Sequence, residues 1–225
     1  MAASVDYACI QPHDDLIAED YLATLLDAAH AAPEAAVVYS DIQSFGAATD
    51  LIRQISVVGS PLARQATLLL DHFNAVAFRG LTRAEAIRRV RGISGNGVED
   101  FAADTVWMTR LATVGDLIRV PQALYRKRYH PANTHGAWQQ WPLERRVEAW
   151  TVHCLDMLRE AVSVAADRNA RQMLARAARV RYSQFGGGSS TYARDIAALS
   201  PAARQAALRH FRKGTKAILK NTAGS

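Results

Sequence analysis

The stretch VDYACIQPHDDLIAEDYLATLLDAAHAAPEAAVVYSD, Val5 to Asp41, decides how the rest of the chain is read. Ser4 to Ile10 reads as a short strand that runs into Gln11-Pro12-His13-Asp14-Asp15, where proline and clustered polar groups stop it. The paired carboxylates therefore fall at a strand's carboxyl end. Beyond them Tyr21, Leu22, Leu25, Leu26 and Ala29 recur at helical spacing, with Glu19 and Asp20 at the start and Pro33 closing the segment. Ala35 to Tyr39 (AAVVY) is short, apolar and partly β-branched, as a buried strand should be. Strand, helix, strand in succession places the chain in the α/β class.

With 225 residues, 49% of them hydrophobic and 21% charged, the chain can bury a real core, which excludes wholesale disorder. It contains no apolar run of about 18 residues, and Met1 to Asp15 has neither a positive region nor a long apolar one, so a cytoplasmic protein without a signal peptide is expected. Cys9 and Cys154 lack metal-type spacing and are expected to be buried thiols. The net charge of +6 is unevenly spread. Between Arg176 and Lys220 stand ten Lys or Arg against one acid, Asp195, which leaves 17 basic and 20 acidic residues elsewhere. The basic excess belongs to the tail.

Working outward, Ser44 to Val76 carries a weak pattern, a variable loop region with a short helix near Ala63 to Leu70. Thr82-Arg83-Ala84-Glu85 has capping-box form and predicts a helix through Arg91. Gly92 to Gly97 (GISGNG) reads as a flexible loop, Glu99 to Val114 as a helix, and Gly115 as its left-handed terminator. Leu117 to Val120 and Ala123 to Tyr129 read as extended segments separated by Pro121. The spacing divides the chain into an α/β domain over 1–135, a helical extension over 136–183, a Gly/Ser-rich linker over 184–199 and a basic helix with its tail over 200–225. Ser200-Pro201 supplies the N-cap and first position of that last helix.

Three constellations carry possible chemistry, each with a plain structural alternative. Asp14 and Asp15 offer hard oxygens for a divalent cation, or simply cap the helix that follows. Glu99-Asp100, with Asp104 one turn on, offers a carboxylate general base, or a solvated helix start. In Leu124 to His130 (LYRKRYH), Arg126, Arg128 and His130 share one strand face, a row suited to phosphate oxygens or to a charged sheet edge.

The order of these motifs, with the texture PHDDLIAEDYLATLLDAA, PEAAVVYSD, FRGLTRAEAI and VEDFAADTVWMTRLATVGDLIRVPQALYRKRYHPAN, resembles the C-terminal half of family 2 glycosyltransferases over Val5 to His135. The resemblance implies a partial GT-A fold: a nucleotide-diphospho-sugar transferase mixed sheet flanked by helices, followed by an α-helical C-terminal region. It implies metal-assisted transfer of a sugar from a nucleotide-sugar to an acceptor hydroxyl on a glycan or lipid-linked acceptor, with inversion. Asp14 or Asp15, with His130, would bind Mn²⁺ or Mg²⁺; Asp100 or Glu99 would be the base; Arg126, Arg128 and His130 would close over the diphosphate. Trp107 and the loop Gly92 to Gly97 would border the acceptor pocket, or Trp107 would be core. The chain departs from the family in carrying Pro12 where an acid is usual two positions before Asp14. The family's opening nucleotide-binding βαβα segment is not covered and is expected to be missing, which would leave the first strand short of neighbours in a parallel sheet. A homo-oligomer or partner chain covering that edge is the corresponding expectation.

The basic tail points another way. Basic amphipathic helices suit an anionic membrane surface, nucleic acid or a protein partner, and the alternative to an enzyme is a non-catalytic binding protein acting through this helix. No sequence motif supports specific nucleic-acid recognition. The plain reading of the tail is a solvated terminal helix packed by its leucines and phenylalanine, with peripheral contact to an anionic inner membrane as the functional reading beside it.

Overall fold

A computed structural model of the chain describes residues 5–70, 75–131, 133–183 and 191–222. Five strands line up in the order β1 (Tyr7–Cys9), β5 (Leu81–Arg83), β3 (Ala35–Gly46), β6 (Asp116–Tyr129) and β2 (Leu16–Ile17), with β4 (Leu51–Ile52) paired to β3 beside this row. Only β3 and β6 pair in parallel among the described strands; the other pairings are antiparallel. The sheet is therefore mixed. The strand expected in a parallel setting, β1, is instead an antiparallel edge strand held by β5, and it leaves Val5 and Ile10 exposed at its ends.

Pro121 does not split β6 into two strands. It lacks the N–H a ladder needs, and the strand absorbs this as a bulge: Ser40 faces Val120, whereas Ile42 already faces Tyr125. The bulge is used, since Leu124 O accepts the Ala18 N–H at 2.8 Å and so ties down the segment after Asp15.

β3 is buried on both faces through its first eight residues, which explains its continuous apolar run. Ala35, Val38 and Ile42 pack with Tyr21, Leu25 and Ala29 of helix α1 (Tyr21–Ala31). Val37 and Tyr39 face the larger core, shared with α2 (Pro61–Leu70), α4 (Ala103–Leu111), α6 (Leu143–Val162), α7 (Arg168–Ser183), α8 (Thr191–Ala198) and α9 (Pro201–Asn221). The short helices α3 (Ala84–Val90) and α5 (Thr134–Gln139) complete the order. One hydrophobic core thus runs from the sheet to Phe211 and Ile218 of α9, and the helical extension is continuous with the α/β part. Part of the expected linker is also helical: Tyr192, Ala193 and Ile196 of α8 are core residues, while 184–190 lie outside the described residues.

Several local readings are corrected. Thr82 does not cap a helix; it pairs with Ala8 and Val37 inside the sheet, and α3 starts after Arg83 without a side-chain cap. Glu99 and Asp100 do not open a helix, because both, with Ala102, have positive φ and α4 begins only at Ala103. Gly115 is not a left-handed terminator. Its missing side chain instead permits close packing, since a Cβ there would meet Glu34 O at 2.7 Å and Ala36 N at 2.8 Å. Cys9 is exposed, whereas Cys154 is buried, its thiol pushed up to about 12 by burial; both are free. Among the described residues no helix is long and apolar enough to cross a membrane.

Candidate active site

The strands β1, β3 and β6 run in one direction, so the residues after β1 and at the end of β6 meet along one rim of the sheet. Carboxyl ends of strands are where open α/β sheets place their ligands. Asp14 and Asp15 sit here, and the structure gives them different work. Asp15 turns inward and is 6% exposed. Its Oδ2 accepts bonds from Arg79 Nε at 2.9 Å and from the Tyr125 hydroxyl at 2.8 Å, and its Oδ1 accepts the Arg128 N–H at 2.8 Å. Three donors occupy this carboxylate, which leaves it a structural clamp on β6 and on the 3-10 turn Ala75–Arg79 that leads into β5.

Asp14 faces outward. Its Oδ2 lies 3.0 Å from Nε2 of His130, which stands just past the end of β6. The His130 bond, with the adjacent His13 helping, holds the Asp14 carboxyl below the usual carboxylate range. The turn that presents His130 is itself fixed, because the His130 N–H donates to Asn133 Oδ1 and the Asn133 N–H donates back to His130 O. Two residues far apart in the chain, both singled out from the sequence, are thus brought into contact. Arg126 and Arg128 are exposed and each places its guanidinium 5.2 Å from the Phe45 ring centre, on one face of β6 as the alternation requires. Lys127 points to the other face and lies 4.4 Å from the Tyr129 ring centre.

The sequence-derived bases fare differently. Glu99 is exposed and pairs with Arg145 of α6. Asp100 is exposed, and its Oδ1 accepts the Asn96 N–H at 3.0 Å within the glycine-rich loop. Neither makes a recorded bond to the Asp14 rim. Asp104, a neighbour of Asp100 in the sequence, is half-buried, unlike the exposed Glu99 and Asp100. Burial pushes its carboxyl upward, against the bond from the Thr105 N–H at 2.7 Å and the nearby charges of Arg79 and Lys127. Arg79 is the cation that binds Asp15, and Lys127 stands on the face of β6 opposite Arg126 and Arg128. Helix α4 packs on the turn Ala75–Arg79, whose Arg79 binds Asp15. The only sequence signal for Asp104 was an acid at the start of an apolar helical pattern, common to any capped helix. Trp107 is core, with its indole N–H donating to Arg91 O at 3.0 Å.

Behind the rim the sheet is braced by buried ions. Asp41 takes both guanidinium arms of Arg119, at 2.7 and 2.6 Å, and the Gln54 N–H at 2.9 Å. Burial alone would raise the Asp41 carboxyl, but the Arg119 and Gln54 bonds bring it below its ordinary value. On the far side Arg64 bonds Ala112 O at 2.7 Å and Asp116 at 2.9 Å, anchoring α2 to the start of β6. Among the described residues no group of three or more His, Cys, Asp or Glu stands ready to hold a metal ion. Neither a family model nor a curated protein matches the chain.

Proposed function

We propose that this chain is a glycosyltransferase-like protein of partial GT-A type, moving a sugar from a nucleotide-sugar to an acceptor hydroxyl. The observation that carries the reading is the Asp14–His130 contact, which joins the carboxyl-end acid to the histidine of the YRKRYH strand at 3.0 Å. A carboxylate and an imidazole are too few to cage a cation alone. Asp14 suits either Mg²⁺ or Mn²⁺, since such hard cations take one or two protein carboxylates and complete their shell with substrate phosphates and water; beside His130 the pair suits Mn²⁺, which accepts an imidazole nitrogen, better than Mg²⁺. Asp14 and His130 would hold that ion, and it would supply neutralisation of the diphosphate leaving group. Arg126 and Arg128, side by side on the exposed face, offer planar forks to the remaining phosphate oxygens.

For the base we favour Asp104 over Asp100 and Glu99. A carboxylate pushed upward by burial removes a proton more readily than a fully solvated one, and Asp104 is the half-buried acid of the three, with Arg79 and Lys127 nearby. It would accept the acceptor hydroxyl proton as the oxygen bonds to the sugar and the bond to the diphosphate breaks. Asp15, Arg79 and Tyr125 position the rim without touching the substrate.

Calorimetric titration of the chain with UDP, GDP and dTDP, with and without Mn²⁺, tests the reading. Metal-dependent binding of one nucleotide, lost in Asp14→Asn and His130→Gln, is the expected result. If folded protein binds none of the three in either condition, the reading fails. Where turnover is found, Asp104→Asn should abolish it while preserving nucleotide affinity, and Asp100→Asn should leave it near the original rate.

A further inference from the structure

The basic tail is not consumed by the site above, and its placement says what it can touch. Helix α9 buries Phe211 and Ile218 against the core, and Gly214 lies against the Leu155 side chain of α6. Helix α7 runs antiparallel beside it: Arg171 Nη1 donates to Thr222 O at one end, and the Tyr182 ring stacks on Phe211 at 4.1 Å toward the other. With the apolar side of α9 fixed inward, helical geometry sends Arg209, Lys213, Lys216 and Lys220 to the opposite side. All four are exposed. They form a stripe spanning about 17 Å at 1.5 Å per residue, with exposed Arg212 on its flank and exposed alanines, Ala206 and Ala217, beside it. Neither α7 nor α9 contains an acidic residue. Among the described residues none of the α7 or α9 cations lies within ion-pairing distance of a carboxylate.

We infer that the outer face of α9 is a docking surface for an anionic phospholipid bilayer, and that it acts by charge alone. The helix cannot insert its apolar side, because that side is already packed on the protein core; this separates it from interfacial helices that bury their apolar face in lipid. A row of uncompensated cations needs a plane of mobile anions, and an anionic membrane surface supplies one. Nucleic acid fits less well. The two large rings of these helices, Tyr182 and Phe211, are buried, which leaves the single exposed imidazole of His210 and no succession of rings for bases to stack on, and the outer side of a single packed helix makes no groove for a strand. The inference stands apart from the proposed transferase chemistry, since it uses none of the same residues.

Sedimentation of the full chain with phosphatidylcholine vesicles, with and without phosphatidylglycerol, decides the matter at low ionic strength. The chain should sediment only with the anionic vesicles and should be released near 1 M salt, where the Debye length is about 3 Å. Changing Arg209, Lys213, Lys216 and Lys220 together to Gln should weaken binding by roughly fivefold per cation, several hundredfold in all. A control with the exposed Arg53, Arg88, Arg89 and Arg91 changed to Gln removes equal charge elsewhere and should bind within a few-fold of the original. Failure to sediment with anionic vesicles would overturn the inference, as would equal loss in both variants or full binding by the stripe variant. Displacement from the vesicles by duplex DNA or single-stranded RNA at lower concentration than the lipid would also overturn it and assign the stripe to nucleic acid.

Discussion

The sheet and the helices α7 and α9 of this molecule handle charge in opposite ways. Around the sheet, ions are turned inward and paired: Asp15 with Arg79, Asp41 with Arg119, Arg64 with Asp116. In α7 and α9 the interior is aliphatic and aromatic, and most of the cations face water without partners. Buried ion pairs cost desolvation and contribute little net stability compared with apolar packing, but they allow few arrangements of the groups that hold them. The rim of the sheet therefore gains fixed geometry, with Asp15 holding the turn of Arg79 and the strand of Tyr125 and Arg128 in register. The helices gain stability from packing and leave their charge free for long-range attraction.

The largest effect should come from breaking the clamp. Asp15→Ala would leave the Arg79 guanidinium and the Tyr125 hydroxyl without their acceptor inside the fold, a loss of about 3–5 kcal/mol by the usual cost of removing one partner of a buried pair. Urea denaturation with the midpoint compared to the parent chain measures it; a loss near zero would mean the carboxylate is not the clamp described. In α9, Phe211→Ala removes a nearly fully buried ring stacked on Tyr182, and should cost about 3 kcal/mol. If the α9 helix were an appendage and not part of the core, that variant would shift the midpoint hardly at all.

Sheet and helices also respond to acid at different pH. His153 of α6 is buried beside Trp150, with the Arg181 cation and the Cys154 thiol its charged and titratable neighbours. Burial first, and Arg181 second, hold its imidazole well below the ordinary value of 6.5. The folded chain therefore keeps His153 neutral while the unfolded chain protonates it as pH falls through 6.5, so stability present above that pH is lost below it, by at most about 1.4 kcal/mol per pH unit. His153→Phe should flatten this slope between about pH 6.5 and 5 relative to the parent. Asp41 acts later: its depressed carboxyl contributes above the ordinary aspartate range and loses that contribution only as pH falls through its lowered folded value. An unchanged slope in His153→Phe would mean that the ring is protonated within the fold.

What could be read in advance follows the range of the forces involved. Helix α1 and the start of β3 were legible because their signals are local, helical spacing from Tyr21 to Ala29 and a short apolar run; the pairing of β2 (Leu16–Ile17) and the continuation of β3 to Gly46 depend on β6 and were not legible. The long strand β6 was half legible, since the alternation that puts Arg126 and Arg128 on one face survives, while His130 falls beyond the strand and the bulge at Pro121 depends on where β3 lies. Thr82 misled because a capping box and a strand end share residue types, and pairing with Ala8 and Val37 prevailed over the local preference. Glu99 and Asp100 misled because three non-glycine residues near them, counting Glu99 and Asp100 themselves with Ala102, take left-handed conformations that no residue type there announces. Asp104 could not be ranked above Asp100 by pattern. Its partial burial comes from the packing of α4 against distant elements, which no residue type at that position announces.

The smallest effect tests how independently α9 is built. Helices α1, α3, α4 and α6 begin without a side-chain cap, so their starts depend on packing. Helix α9 differs: Ser200 Oγ accepts the Ala203 N–H at 3.4 Å, and Pro201 presets the first helical φ. The bond is long, so Ser200→Ala should sit at the low end of cap losses, about 0.5 kcal/mol. That is well below the Phe211→Ala loss, and the ratio is informative. If the cap variant instead matched the packing variant, α9 would owe its position to local nucleation, and its cationic face would persist even when Phe211 is removed. If the cap loss is as small as expected, packing on α6 and α7 alone sets which side of α9 meets solvent, and Phe211→Ala should scatter the stripe as well as destabilise the core. Vesicle binding of Phe211→Ala, measured below its unfolding temperature, separates these: retained affinity supports local nucleation, and affinity reduced alongside stability ties the stripe's orientation to the core.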